Sequence, residues 1–198
     1  KWTQNLQQLY TIGHGLGKVP DLIIVKQTNA ESWWPVYSKV TGPDSALFLN
    51  QSDKVANSNT WGSFNPTSEV FMFSEVAGDY IAYCFTNTEM LQVGSYWGNA
   101  TVDGPFISLP FKPAYFLVKL MNYEIANWAV YDNARDIDNI VGQELNPDDS
   151  RDETFHPDLD FLSNGIKLRN GRTINNNVSH NYMYLAIAEQ PFKHARGR

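Results

Sequence analysis

Cysteine is nearly missing: Cys84 is the only one in 198 residues. That excludes an internal disulfide and any cysteine-built zinc centre. Charged residues are also few, at 18%, while aromatics reach 14%. Disordered chains show the opposite balance, so this chain folds. There is no cationic surplus, because the net charge is −6; whole-surface attraction to nucleic acid or to anionic lipid is therefore not expected. Apolar runs such as 22–25 and 114–118 fall far short of the ~20 residues a membrane-crossing helix needs, so no membrane insertion is expected. No apolar stretch follows Lys1 to Asn5, so no signal peptide is visible. The chain opens on Lys1 and not Met, as a piece of a longer product would. Helical rhythm is lacking as well, since few long windows carry apolar residues at i, i+3 and i+4 without Gly or Pro.

Strand signals fill the space. Short β-branched and aromatic runs recur between Gly, Asn, Pro, Ser and Asp. In the first half they cover 21–26, 32–37, 46–49, 69–73 and 79–85; in the second, 93–97, 114–119, 127–131, 160–162, 165–168 and 181–188. Runs of this length and spacing predict an all-β sandwich.

The two halves match each other. Pro20 and Lys26 align with Pro113 and Lys119, Trp34-Pro-Val-Tyr37 with Trp128-Ala-Val-Tyr131, Leu49-Asn50 with Leu145-Asn146, and Asp79-Tyr-Ile-Ala-Tyr83 with Asn181-Tyr-Met-Tyr-Leu185. The order is kept and the offset only grows, as small loop insertions would produce. The prediction is two tandem antiparallel β-sandwich-like repeats, 1–88 and 89–198, joined through residues 87–90. One larger sandwich with half its strands from each repeat is the alternative. Pro20 and Pro113 should stand at the start of strands, where no ladder donor is needed. Residues 22–25 and 115–118 do not alternate, which predicts central strands covered on both faces. The stretch 127–131 alternates, which predicts a strand with two different faces. Tyr80 and Tyr182 read as core or cross-strand residues, and Cys84 as a small core residue.

Several segments carry a resemblance. They are the glycine-rich opening and proline-led strand of 14–26, Ser95-Tyr-Trp-Gly-Asn99, Asp103-Gly-Pro-Phe106, the Ser163-Asn164-Gly165 turn within 160–168, and the closing stretch 188–198. Together they resemble a domain repeated in tail-fibre-like and other virion structural proteins of tailed phages, particularly marine ones. The first repeat departs from the pattern: Asn65-Pro-Thr-Ser-Glu-Val70 replaces the Ser-Asn-Gly turn, and its opening strand lacks the Tyr-x-Gly-Asn seen at 96–99. The resemblance implies a virion component, assembled in the host cytoplasm, that displays β modules and reads a host-surface carbohydrate or receptor. Its implied partners are further copies of itself, as a trimer, and other virion proteins. It implies no shared catalytic residues and no cofactor.

Candidate chemistry is thin. Asp and Glu cluster between Asp132 and Asp160. Asp136, Asp138, Asn139 and Asn146 to Asp149 could offer oxygens to Ca²⁺, but the spacing of an EF-hand is missing; the stretch is expected to be a solvated acidic loop, with no metal site assigned. A carboxylate pair held about 5–10 Å apart could hydrolyse a glycosidic bond, a chemistry that spacing alone does not reveal. His14, His156, His180 and His194 are scattered, which argues against zinc or nucleophilic catalysis. His14 sits in a glycine-rich turn without the spacing of a phosphate loop. Asn99-Ala-Thr101 and Asn177-Val-Ser179 match a glycosylation acceptor pattern, an accidental match in a chain without a secretion signal. The Asn-rich stretches 50–59 and 170–177 read as polar loops. The basic tail 193–198 could dock on an acidic subunit face and is too short for DNA.

Aromatic residues are the strongest functional signal. Sugars present C–H patches that pack on flat rings, and Asn, Asp and Gln bind their hydroxyls. Adjacent strand residues point to opposite faces, so Trp33 and Trp34 cannot both enter one core. Trp33, Trp34, Tyr96, Trp97 and Asn99 are therefore the candidate ligand-binding residues, with no catalytic residue. Loops at 28–32, 51–60, 122–127, 132–158 and 170–177 are candidate recognition loops. The reading is a non-enzymatic virion surface or tail-fibre module for host attachment. A purely architectural head-decoration, collar or neck subunit and a fibre-borne polysaccharide depolymerase are the alternatives.

Overall fold

A computed structural model describes residues 1–189, and among them it contains strands and no helix. The basic tail 193–198 lies outside the described residues. The chain divides into two compact units, Lys1–Thr86 and a second that begins at Asn87; no sheet mixes strands of the two.

The first unit holds β1 (Trp2–Gln4), β2 (Tyr10–Gly13), β3 (Leu22–Gln27), β4 (Pro35–Ser38), β5 (Ser45–Phe48), β6 (Ala56–Asn57), β7 (Val70–Phe73) and β8 (Gly78–Phe85). The second holds β9 (Leu91–Trp97), β10 (Phe106–Ser108), β11 (Pro113–Leu120), β12 (Trp128–Asp132), β13 (Val141–Glu144), β14 (Thr154–Leu162), β15 (Gly165–Leu168) and β16 (Asn181–Ala188). All named pairs are antiparallel. The first unit has a sheet ordered β1-β8-β3-β4-β5-β6 and the pair β2-β7; the second has β9-β16-β11-β12 and β13-β14-β15-β10.

The two units match strand for strand, β1 with β9 through β8 with β16. The register is also kept. Val25 faces Ala82 and Ile24 faces Val36; their counterparts Val118 and Leu117 face Tyr184 and Val130. The units differ at the far edge of the sheet. In the first, β4 and β5 form a ladder. In the second, β12 and β13 meet only at the bridge between Val130 and Leu145, and β13 belongs to a sheet built on the nine-residue β14.

Local chemistry explains the strands that were legible. The apolar runs at 22–25 and 115–118 form β3 and β11, each central in its sheet. Pro113 is the first residue of β11, opposite Ala188 and just before a register shift, a position where a missing N–H does little harm. A two-residue turn, Ser163-Asn164, joins β14 to β15.

The cores differ in character. In the first unit Trp61, Phe71, Phe73, Tyr37 and Tyr80 are buried with Ile23 and Val25. Trp2 stacks on Tyr80 at 5.4 Å and meets Phe73 edge-on at 5.5 Å. In the second, Phe116, Val118, Leu120, Leu159, Phe161, Ile166 and Leu168 pack around Tyr131 and Tyr182. Cys84 lies half-buried in β8 against the first core. Burial pushes its thiol up to about 11, so it stays protonated and unreactive at neutral pH.

Four expectations are corrected. The stretch 127–131 is not two-faced: Trp128, Ala129, Val130 and Tyr131 are all buried. Trp33 and Trp34 are not strand residues, because β4 starts only at Pro35; Pro35 disfavours helical backbone at Trp34 and a side-chain cap holds the loop in place. The acidic stretch 132–160 is not one solvated loop. It contains β13 and most of β14, and Glu144, Asp158 and Asp160 are buried. The Asn-rich stretch 170–177 is likewise partly internal, with Asn175 and Asn176 fully buried.

Candidate functional site

The loop before β4 presents an aromatic wall. Trp33 is 59% exposed, far more than so large an apolar side chain usually is. Its ring leans on Phe48 of β5 at a centroid distance of 4.9 Å, so it stands as a braced plate. Two open clefts share it as part of their lining. One, of about 220 Å³, is lined by Ser32, Trp33, Pro35, Glu75 and Tyr80. The other, of about 450 Å³, is lined by Lys26, Glu31, Ser32, Trp33, Trp34 and Asn50.

Asn50 fixes this loop. Its Oδ1 accepts the Trp34 backbone N–H at 2.9 Å and its Nδ2 donates to the Ser32 carbonyl at 3.3 Å. Both ends of one amide thus clamp the residues flanking Trp33. Lys26, at the end of the apolar run of β3, places its ammonium 5.1 Å from the Trp34 ring centre. Among the described residues Lys26 Nζ has no hydrogen-bonding or ion-pairing partner.

The other candidates lie in the second unit and do not form an equivalent site. Tyr96 is a core residue: it stacks on Tyr182 at 5.1 Å with rings 12° apart, and its hydroxyl donates to the Asn175 carbonyl at 2.7 Å. Asn99 organises a turn. Its Oδ1 accepts from Thr101 N and Oγ1, its Nδ2 donates to the Asp103 carbonyl, and its own N–H donates to Asn176. Trp97, 62% exposed at the end of edge strand β9, and Asn99 are the two of the three that are exposed. The structure therefore brings Trp33 and Trp34 together with Lys26 and Asn50, and places Tyr96, Trp97 and Asn99 in the chain's second unit.

Sequence reasoning missed a buried polar network. Tyr131 Oη lies 2.6 Å from Asp158 Oδ2 and 3.0 Å from Glu144 Oε2. Arg172 Nη1 donates to the same two oxygens at 2.6 and 2.8 Å. Asn170 donates to Asp158 Oδ1, and Asn175 Nδ2 donates to the Tyr131 hydroxyl at 3.1 Å. Burial pushes the Asp158 carboxyl up to about 6, against the pull of Tyr131 and Arg172; burial next to these carboxylates raises the Tyr131 hydroxyl well above its ordinary range. A carboxylate pair is thus present, yet every contact it makes is to the protein's own donors, and Asp158 is completely buried. It ties β12, β13 and β14 to the 170–176 loop. The only advance sign was composition: an acidic run beside an Arg within a strand-rich segment.

The remaining polar candidates serve local structure. Asp136 Oδ2 accepts the Gly142 and Gln143 N–H groups, and Asp148 Oδ1 accepts that of Trp128. His14 Nε2 is 3.1 Å from the Thr67 carbonyl while its Nδ1 accepts from Leu16 N–H, so the ring donates from Nε2 and closes the glycine turn. Among the described residues no group of three His, Cys, Asp or Glu side chains converges as a metal site.

No curated protein and no solved structure matches the chain. One family does, over residues 1–191, nearly the full length: the chain belongs to the family described as domain of unknown function (DUF7483).

Proposed function

We propose that this protein is a non-enzymatic surface module of a tailed-phage virion, which attaches to its host by binding an envelope saccharide at the Trp33 cleft. The observation that carries the reading is Trp33 itself: a tryptophan face held open to solvent, braced by Phe48 and shared by two clefts with Lys26, Glu31, Asn50 and Glu75 at their walls. A flat ring beside hydrogen-bonding groups is the arrangement that a sugar, apolar on its C–H face and polar at its rim, requires. The stiff β frame keeps the plate in place before binding, which lowers the ordering cost. The motif resemblance supports the virion setting, assembly as a trimer and contact with other virion proteins. Saturation of the Glu144–Asp158 pair by Tyr131, Arg172 and Asn170 supports a role without bond cleavage.

The test is binding of the purified protein to an immobilised panel of bacterial surface polysaccharides. Binding to at least one polysaccharide is expected, with loss of at least tenfold in affinity for Trp33→Ala, in line with the value of one aromatic contact. Retained affinity in that variant, or no binding to any polysaccharide, overturns the reading.

A further inference from the structure

The duplication supplies an internal comparison. Lys119 of β11 is the counterpart of Lys26, and Trp128 of β12 that of Trp34. The pair is built the same way: Lys119 Nζ stands 5.7 Å from the Trp128 ring centre, against 5.1 Å for Lys26 and Trp34. In both repeats a side-chain oxygen accepts the backbone N–H of the tryptophan, that of Asn50 in the first and of Asp148 in the second. The surroundings differ. Lys119 and Trp128 are buried, at 0% and 1% exposure, and Lys119 donates to the backbone carbonyl of Ala126. Lys26 and Trp34 instead line the open cleft of about 450 Å³. The second repeat thus carries an amide carbonyl on its lysine, supplied by the chain, where the first leaves the place to solvent.

Resting on the saccharide reading of this cleft, we infer that its ligand is a 2-acetamido sugar, whose amide carbonyl takes on Lys26 the place that Ala126 takes on Lys119. Three features of the cleft fit that group together. Lys26 Nζ supplies the donor for the carbonyl, a charge-assisted bond stronger than a neutral one. Glu31, at the wall of the same cleft, supplies an acceptor for the amide N–H. The tryptophan rings supply apolar faces for the acetyl methyl and the sugar ring. A uronic acid would pair with Lys26 but set its charge beside Glu31 in the same opening, so the two residues together suit a neutral group with both an acceptor and a donor. A neutral sugar without the amide would meet Lys26 and Glu31 through hydroxyls alone, weaker acceptors than an amide carbonyl, and would bring no acetyl methyl to the tryptophan rings.

The experiment titrates the intact protein with two neutral tetrasaccharides of the same linkage, β-1,4-linked N-acetylglucosamine and β-1,4-linked glucose. Tryptophan indole signals in NMR report binding. The acetylated sugar is expected to bind at least tenfold more tightly. Lys26→Met should abolish that preference while leaving the unfolding midpoint in urea unchanged; Glu31→Ala, on an exposed loop residue, should reduce it without any folding risk. Equal affinity for the two sugars, or an undiminished preference in both variants, overturns the inference. If the glucose tetrasaccharide binds equally well and Trp33→Ala loses it, the saccharide reading stands and the acetamido inference alone falls. If neither tetrasaccharide binds, the acetamido inference falls; if the polysaccharide panel is silent as well, the saccharide reading falls with it.

Discussion

At the residue scale the chain sets a conflict between charge and burial in its second unit. Asp158 and Glu144 are 0% and 5% exposed at the side chain, and among the described residues their cationic partner is Arg172 through Nη1, itself 32% exposed. Removing one member of a buried pair costs far more than the pair contributes, because a charge is left without a partner in low dielectric. Arg172→Met should therefore destabilise the protein by about 3 kcal/mol at pH 7, the low end for a buried pair given the partial exposure of the guanidinium. Urea unfolding at pH 7 and pH 5 checks it. The loss should shrink at pH 5, where Asp158 takes up a proton and needs the cation less. A loss of the same size at both values would contradict the raised carboxyl.

At the element scale, legibility followed periodicity. Residues 22–25 and 115–118 announced β3 and β11 because both faces of a central strand are apolar. The ordered matches between the halves announced the repeat, and the Ser163-Asn164-Gly165 turn announced the β14–β15 hairpin. The short strands β1, β2, β6, β10 and β13 were not legible; each has at most four residues, and none holds the three consecutive apolar residues of β5 and β7 or follows a two-residue turn as β15 does. The first part of β14 was hidden because Thr154 to Asp158 is polar, and its placement depends on Tyr131 and Arg172, which are distant in sequence. Within the candidate site, Trp33 and Trp34 were legible as an adjacent aromatic pair, although through strand geometry that does not apply there. Lys26 aligned with Lys119 and was not read as part of a site, since a lysine ending an apolar strand looks like a solvated edge. The hairpin gives this scale its prediction. A Cβ at Gly165 would meet the Ile107 carbonyl and the ring of Phe106 on β10, and Gly165 is the residue that pairs with Ser108. Gly165→Ala should cost about 2 kcal/mol through overpacking between β10 and β15, read as a lower urea midpoint. An unchanged midpoint would show that β10 can move away freely.

At the scale of the whole molecule these groups set a pH optimum. Folding raises the Asp158 carboxyl from its ordinary value of 3.8 to about 6, mainly through burial, and raises Asp148 for the same reason. Between about pH 4 and 6 the folded state therefore holds more protons than the unfolded one at these sites, so their contribution to stability declines as pH rises through that window. For Asp158 the decline amounts to on the order of 3 kcal/mol, complete above pH 6. Asp132 acts in the opposite sense. Its ion pair and hydrogen bonds with Arg135 hold it below the ordinary value despite burial, so its contribution is present above about pH 4 and lost as pH falls through its folded value. Asp103, paired with Lys167, and Asp149, paired with Arg151, are lowered too and follow Asp132. The two sets leave a maximum near pH 4, the ordinary carboxylate value at which the two trends cross. Urea midpoints measured from pH 3 to pH 8 should peak there and fall toward neutrality, and Asp158→Asn should flatten the neutral limb by removing its largest titrating group. A stability that instead climbs steadily from pH 5 to 7.5 would mean that Asp158 is ionised without penalty, and that the Tyr131–Arg172 cradle offsets burial in full.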